Sequence, residues 1–159
     1  MDGHYYFLIP HLQPPEPWPS AIRSSPKRIR VLWDASGSLA EEDHSRKLRV
    51  LRDYLTQWLR VRPAVELVVF RNRPEPARHF PGTRDGITAF LNYLEDIAYD
   101  GGTQLGRLRD AFGPEAPDLY LVFTDGLANF GEQSLDSFDA PVYAISDSPL
   151  TDYYLLRHL

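Results

Sequence analysis

The chain has 159 residues, 43% of them hydrophobic and 25% charged, with a formal net charge of −5 and no cysteine. That length and apolar content suffice for one domain with its own core and no disulfide or metal staple. The composition excludes a thiolate zinc site, a cysteine nucleophile and a disulfide framework, and the acidic balance argues against nucleic acid as a partner, because phosphate contacts need clustered cations. No run approaches the ~20 apolar residues of a membrane span, and the start shows no targeting signal. A chain without cysteine suits reducing and oxidising compartments alike, which leaves localisation open.

Residues 1–27 begin with an aromatic, strand-like run from Tyr5 to Ile9 and continue through six prolines between Pro10 and Pro26. Such a density excludes helix and central strand, so this segment reads as a lead-in or linker with a possible edge strand, ahead of a domain over 28–159. Ile29 to Trp33 reads as a first buried strand with Trp33 in the core, and Ser38-Leu39-Ala40-Glu41 has capping-box spacing in front of a helix. Leu48, Leu51, Leu55 and Leu59 recur at helical spacing to about residue 60, with Arg46, Lys47, Arg49 and Arg52 expected on one face. Val65 to Phe70 is a second strand, and the prolines of the next segment suit a turn into a short edge strand near 77–80.

Thr83 is placed to cap a second helix with the apolar stripe Ile87, Phe90, Leu91, Leu94 and Ile97. Gly101-Gly102 then breaks the chain before a short helix with Leu105, Leu108 and Phe112 on its inner face. Leu119 to Thr124 and Pro141 to Ser146 are two further strands, apolar on both faces as parallel, doubly covered strands are, with a small helix expected around 133–138 between them. A last helix begins near Asp152. The alternation predicts an α/β sandwich, Rossmann-like, with three layers, right-handed crossovers and helices on both faces of a mostly parallel sheet that carries one short antiparallel edge strand. In such sheets the ligand site lies beyond the carboxyl ends of the strands, where the strand order reverses. Asp34 and Asp125 each follow a strand immediately. If the first strand neighbours the Leu119 strand, the two carboxylates face each other.

Asp34-Ala35-Ser36-Gly37-Ser38 places one carboxylate and two hydroxyls in a tight turn. Alone, it fits an ordinary strand-to-helix turn, with Ser38 as a cap, as well as it fits a metal site. Thr103, in Tyr99-Asp100-Gly101-Gly102-Thr103, and Asp125, in Phe123-Thr124-Asp125-Gly126, add a hydroxyl and a carboxylate from distant segments and favour the metal site. Asp100 and Asp147 read as turn residues, and His4, His11, His44, His79 and His158 lack ligand spacing.

This combination resembles the von Willebrand factor A (VWA) domains, whose metal-ion-dependent adhesion site joins Asp-x-Ser-x-Ser to a distant Thr and a distant Asp. The resemblance covers about residues 28–150. The Tyr-Asp-Gly-Gly-Thr stretch and the proline-rich lead-in are similar to the subgroup in which the domain follows a VIT domain, as in inter-alpha-trypsin inhibitor heavy chains. The resemblance implies a Mg²⁺ or Mn²⁺ ion held at Asp34, Ser36, Ser38, Thr103 and Asp125. Ser36 and Ser38 would bind directly, Thr103 and Asp125 directly or through water, and Asp34 largely through water. It also implies a protein partner that presents an exposed Asp or Glu, and other domains of a larger parent protein. The family fold has a further helix and strand after the Val142 strand, so this chain is expected to be an excised piece.

Leu39, Leu127, Asn129 and Phe130 follow the loop residues and are expected as a partly exposed partner-binding rim. Phe130 either meets the partner or tucks under its own loop. Two other functions compete with adhesion: a phosphatase-like or hydrolase site using Asp34 or Ser36, and a scaffold with an unused metal site. The enzyme reading fits poorly, because Ser36 stands where a second Asp would be needed and no elbow glycines flank the nucleophile.

Overall fold

The computed structural model describes residues 25–127 and 138–158. The expected strand at 5–9, the helix expected around 133–138 except for Phe138 itself, and the rim residues Asn129 and Phe130 lie outside the described residues.

The central strand β1, Arg28–Asp34, is almost wholly buried. Its side chains alternate between two layers. Ile29, Val31 and Trp33 face one cluster, and Leu32 faces another. The parallel strand β2, Ala64–Phe70, and the antiparallel β3, Arg78–Pro81, lie to one side of it, while the parallel β4, Leu119–Phe123, and β5, Val142–Ile145, lie to the other. The sheet order is therefore β3-β2-β1-β4-β5. The chain winds outward from β1 through β2 and returns to the far side of β1 with β4, so the strand order reverses between β1 and β4. Their carboxyl ends form the crevice in which such sheets hold ligands.

Helices α1, Ser45–Gln57, and α2, Arg84–Glu95, cover the first layer through Leu48, Leu51 and Leu55 and through Ile87, Phe90, Leu91 and Leu94. Thr83 caps α2 as expected, its hydroxyl accepting from the Gly86 N–H at 3.1 Å. The second layer packs Leu105 and the first residue of a 3-10 turn, Leu108–Ala111, with Phe112 and Phe138 beside them. The final helix α3, Tyr153–Arg157, buries none of its residues.

Three expectations change. The capping box at Ser38–Glu41 starts no α-helix: a 3-10 turn occupies Gly37–Leu39, and α1 begins at Ser45, whose N–H is taken by the Asp43 carboxylate at 2.9 Å. The Ser38 hydroxyl instead donates to Asp125 at 2.8 Å. Lys47 does not share a face with the α1 arginines. One residue turns a helix by about 100°, and Lys47 is only 3% exposed whereas Arg46 and Arg49 are in solvent. Finally, β5 packs on both layers, through Tyr143 and Ile145 on one and Val142 on the other, but as the outer strand of the sheet it is only partly buried.

Candidate metal centre

The site is built where β1 and β4 stop. Ala35 still donates its N–H to the Phe70 carbonyl at 2.9 Å, which holds the strand end in line before the chain turns. Asp34 Oδ1 accepts from the Ser36 N–H at 2.9 Å, the local bond by which an Asp stabilises a turn two residues on. The turn brings the two serine hydroxyls together, Ser36 Oγ lying 3.1 Å from Ser38 Oγ, with Ser36 buried and Ser38 exposed. Ser38 Oγ then reaches Asp125 Oδ2, and Thr124 Oγ1 donates to Asp34 Oδ2 at 2.6 Å, so the β1 and β4 loops are joined by two hydroxyl-to-carboxylate bonds.

The segment carrying Thr103 is fastened alongside by its backbone. Gly37 donates to the Gly101 carbonyl at 2.9 Å, and Asp100 donates to the Ala35 carbonyl at 3.0 Å. Gly101 has φ +69°, a conformation that L side chains rarely adopt, and a Cβ there would meet Asn72 Nδ2 at 2.5 Å. Asn72 in turn accepts from the Gly102 N–H at 2.8 Å, and Gln104 donates to the Arg71 carbonyl at 2.9 Å. Thr103 is held between these anchors, fully buried.

The sequence reading thus finds four of its residues, Asp34, Ser36, Ser38 and Asp125, in one hydrogen-bonded group, with Thr103 buried in the adjoining loop. The rim needs correction at Leu39. It is 2% exposed, because the 3-10 turn points this apolar side chain into the protein, while Leu127 is half-buried. Two residues that the sequence reading passed over matter here. Thr124 bridges Asp34 and the Gly126 N–H, and Asn72 supports the glycine pair. Thr124 could have been found from its place between a buried strand and Asp125, whereas nothing local marks Asn72. Asp100 and Asp147, read as turn residues, also pair with Arg71 and Lys47. His44 stacks on Tyr99 with ring centroids 4.1 Å apart, a packing role.

Asp34 is 2% exposed and Asp125 1% exposed, and among the described residues neither makes an ion pair. Burial pushes the Asp34 carboxyl above the ordinary carboxylate range. Hydrogen bonds from Thr124 and Ser36 oppose the shift, and the nearby Asp125 adds to it. Two buried carboxylates with hydroxyls between them are the oxygen donors that a hard divalent cation takes. Among the described residues no group of three or more His, Cys, Asp or Glu side chains is placed to hold a metal, so a centre here would draw on hydroxyl oxygens.

No protein-family model and no curated protein sequence matches the chain. Solved structures do. The VWA domain of SpRpn10 superposes over 84% of this chain and 95% of its own, at 12% identity and a TM-score of 0.50. Proximal thread matrix protein 1 from the mussel byssus matches over 75% of this chain and 36% of its own, at 18% identity and a TM-score of 0.51. An aerotolerance-related membrane protein from Bacteroides fragilis NCTC 9343 matches over 65% of this chain and 56% of its own, at 22% identity and a TM-score of 0.44. This chain therefore spans little more than half of the Bacteroides protein and about a third of the byssus protein. The fold is VWA-like, an α/β sandwich of the Rossmann-like kind.

Proposed function

We propose that this domain is a metal-dependent protein-binding module with no chemistry of its own, and that Asp34, Ser36, Ser38, Thr103 and Asp125 hold Mg²⁺ or Mn²⁺ at the carboxyl edge of the sheet. The observation that carries the reading is the buried pair Asp34 and Asp125, hydrogen-bonded to hydroxyls and backbone N–H groups and matched by no cation among the described residues. Ionised carboxylates are costly to bury without a counter-charge. A divalent ion supplies that charge and, when bound, an electrophilic position that an exogenous carboxylate fills.

The chain's own residues do the positioning. Ser36 and Ser38 are neutral donors and leave much of the ion's charge uncancelled. Asp34 fixes the Ser36 backbone and the Thr124 hydroxyl, and Asp125 receives the Ser38 hydroxyl. The partner is a protein with an exposed Asp or Glu, and Leu127 stands at the edge of the contact, with Asn129 and Phe130 following it in sequence. The Tyr99–Thr103 stretch and the proline-rich lead-in support the VIT-associated type within the VWA class, and hence further domains in a parent protein.

Calorimetric titration with Mn²⁺ tests the reading. Saturable binding is expected in the native chain and its loss in Asp34→Asn and in Asp125→Asn, with the fold retained. An acidic partner should then bind only with metal present, and binding that survives EDTA would refute the adhesion mechanism.

A further inference from the structure

Lys47 is nearly buried on α1, a residue type that is seldom found inside unless it is paired. It has two partners. Its Nζ lies 2.7 Å from Glu42 Oε2 and 2.9 Å from Asp147 Oδ1. Burial works against the ammonium, but the Glu42 and Asp147 carboxylates outweigh it and hold Lys47 above its ordinary value. The two acids belong to different loops, and each loop leads to the metal centre. The Glu42 N–H bonds the Leu39 carbonyl, and the Leu39 N–H bonds the Ser36 carbonyl, so Glu42 is tied to the turn that carries Ser36 and Ser38. Asp147 follows β5 in a loop braced by Ser146, Ser148 and Thr151, and that loop ends with the Asp152 N–H on the Asp125 carbonyl at 2.8 Å.

These contacts close a ring. Ser38 and Asp125 meet directly at one point of it, and Lys47 joins the Ser38 loop to the loop after β5, which in turn holds the Asp125 carbonyl. We infer that Lys47 is a positioning residue for the metal centre: its bridge between Glu42 and Asp147 sets the separation of the turn bearing Ser36 and Ser38 from the loop bearing Asp125. This rests on the metal-site reading above. An apolar residue of similar length would fill the same space on α1 and pack as well against the core. The charge is needed only because two acids from two loops must be held together.

The test compares Mn²⁺ binding to the native chain with binding to Lys47→Met, Lys47→Arg and Asp147→Asn, with urea melts in EDTA for each. Lys47→Met should weaken Mn²⁺ binding by about tenfold to a hundredfold, the usual effect of removing a group that orients metal ligands. Asp147→Asn should give a loss in the same direction, and the double variant should lose little more than Lys47→Met alone, since both break one bridge. Lys47→Arg should restore most of the affinity, a rescue that simple filling of space by methionine cannot give. Hydrogen exchange at the amides of Ser36 to Leu39 should quicken in Lys47→Met in EDTA. If Lys47→Met fails to fold, Asp147→Asn and Lys47→Arg carry the same comparison. Native binding that is unchanged in Asp147→Asn and in every folded Lys47 variant overturns the bridge and leaves the metal centre standing. No Mn²⁺ binding by the native chain overturns the metal centre, and this inference with it.

Discussion

Both halves of strand β1 bury charge, but only one half balances it. Near its start Arg30 is 2% exposed and sits beside Glu66, 1% exposed, with Arg30 Nε 2.9 Å from Glu66 Oε1. The remaining guanidinium N–H groups reach the Gly113 and Glu115 carbonyls and the Tyr120 hydroxyl, and the Phe112 ring lies 4.4 Å from Cζ. The two charges cancel within the protein, which makes this a closed structural element, although Nε meets Glu66 as an ion pair and not in hydrogen-bond geometry. At the other end Asp34 and Asp125 are as deeply buried, and their partners are neutral. One buried group is balanced within the protein, whereas the other has no cation partner among the described residues, which is the ground of the metal-site proposal.

The sharpest way to break this comparison is at Arg30. Arg30→Met leaves Glu66 charged and buried, and should cost about 3–5 kcal/mol of stability in urea melts. Arg30→Met with Glu66→Leu should recover most of that loss, because the pair is replaced as a unit by apolar side chains. Asp125→Asn should behave in the opposite way in EDTA, with little loss or a small gain, since it removes one of two uncompensated charges. A large loss in Asp125→Asn without metal would show that the upper group is as self-contained as the lower.

The next effect is that of the ion. At a hundredfold excess over its dissociation constant a ligand that binds only the folded state adds about 2.7 kcal/mol, so Mn²⁺ should raise the melting temperature and EDTA should reverse the rise. Neither Arg30→Met/Glu66→Leu nor the native lower pair should alter that increment, which Asp34→Asn should abolish.

Gly101→Ala comes third. It forces a left-handed backbone onto a residue with a Cβ, worth about 1–2 kcal/mol, and drives that Cβ into Asn72. Stability should fall by about that amount, and Mn²⁺ affinity should fall too, because Gly101 fixes the loop that carries Thr103. An unchanged affinity would separate Thr103 from the centre.

The smallest effect concerns pH. His44, stacked on Tyr99 beneath the site, is held below its ordinary value by burial first and then by the Lys47 charge, with Glu42 and Asp147 opposing. The unfolded chain therefore takes up this proton before the folded one. Stability should be level above the ordinary histidine value of about 6.5 and decline as pH falls from there toward the lowered folded value. His44→Gln should flatten that part of the stability curve, and an unaltered slope would assign it to other groups.

The local pattern of the chain carried far. The apolar run of β1, the stripe on α2 and the proline-marked edge strand follow from burial of apolar side chains on one face or two, a constraint that neighbouring residues express together. Asp34, Ser36, Ser38, Thr103 and Asp125 were singled out by their combination, since the first segment alone fits an ordinary turn as well, and the structure brings Asp34, Ser36, Ser38 and Asp125 into one hydrogen-bonded group with Thr103 in the adjoining loop. The pairing of Arg30 with Glu66 is a matter of register, the two lying opposite each other between β1 and β2. Only the tertiary structure decided that β4 returns beside β1, that Leu39 turns inward, that the Ser38 hydroxyl meets Asp125, and that Lys47 is buried between two loops. Each of these depends on a partner distant in sequence, and a local pattern of apolar and polar residues holds no record of which distant group a side chain will meet.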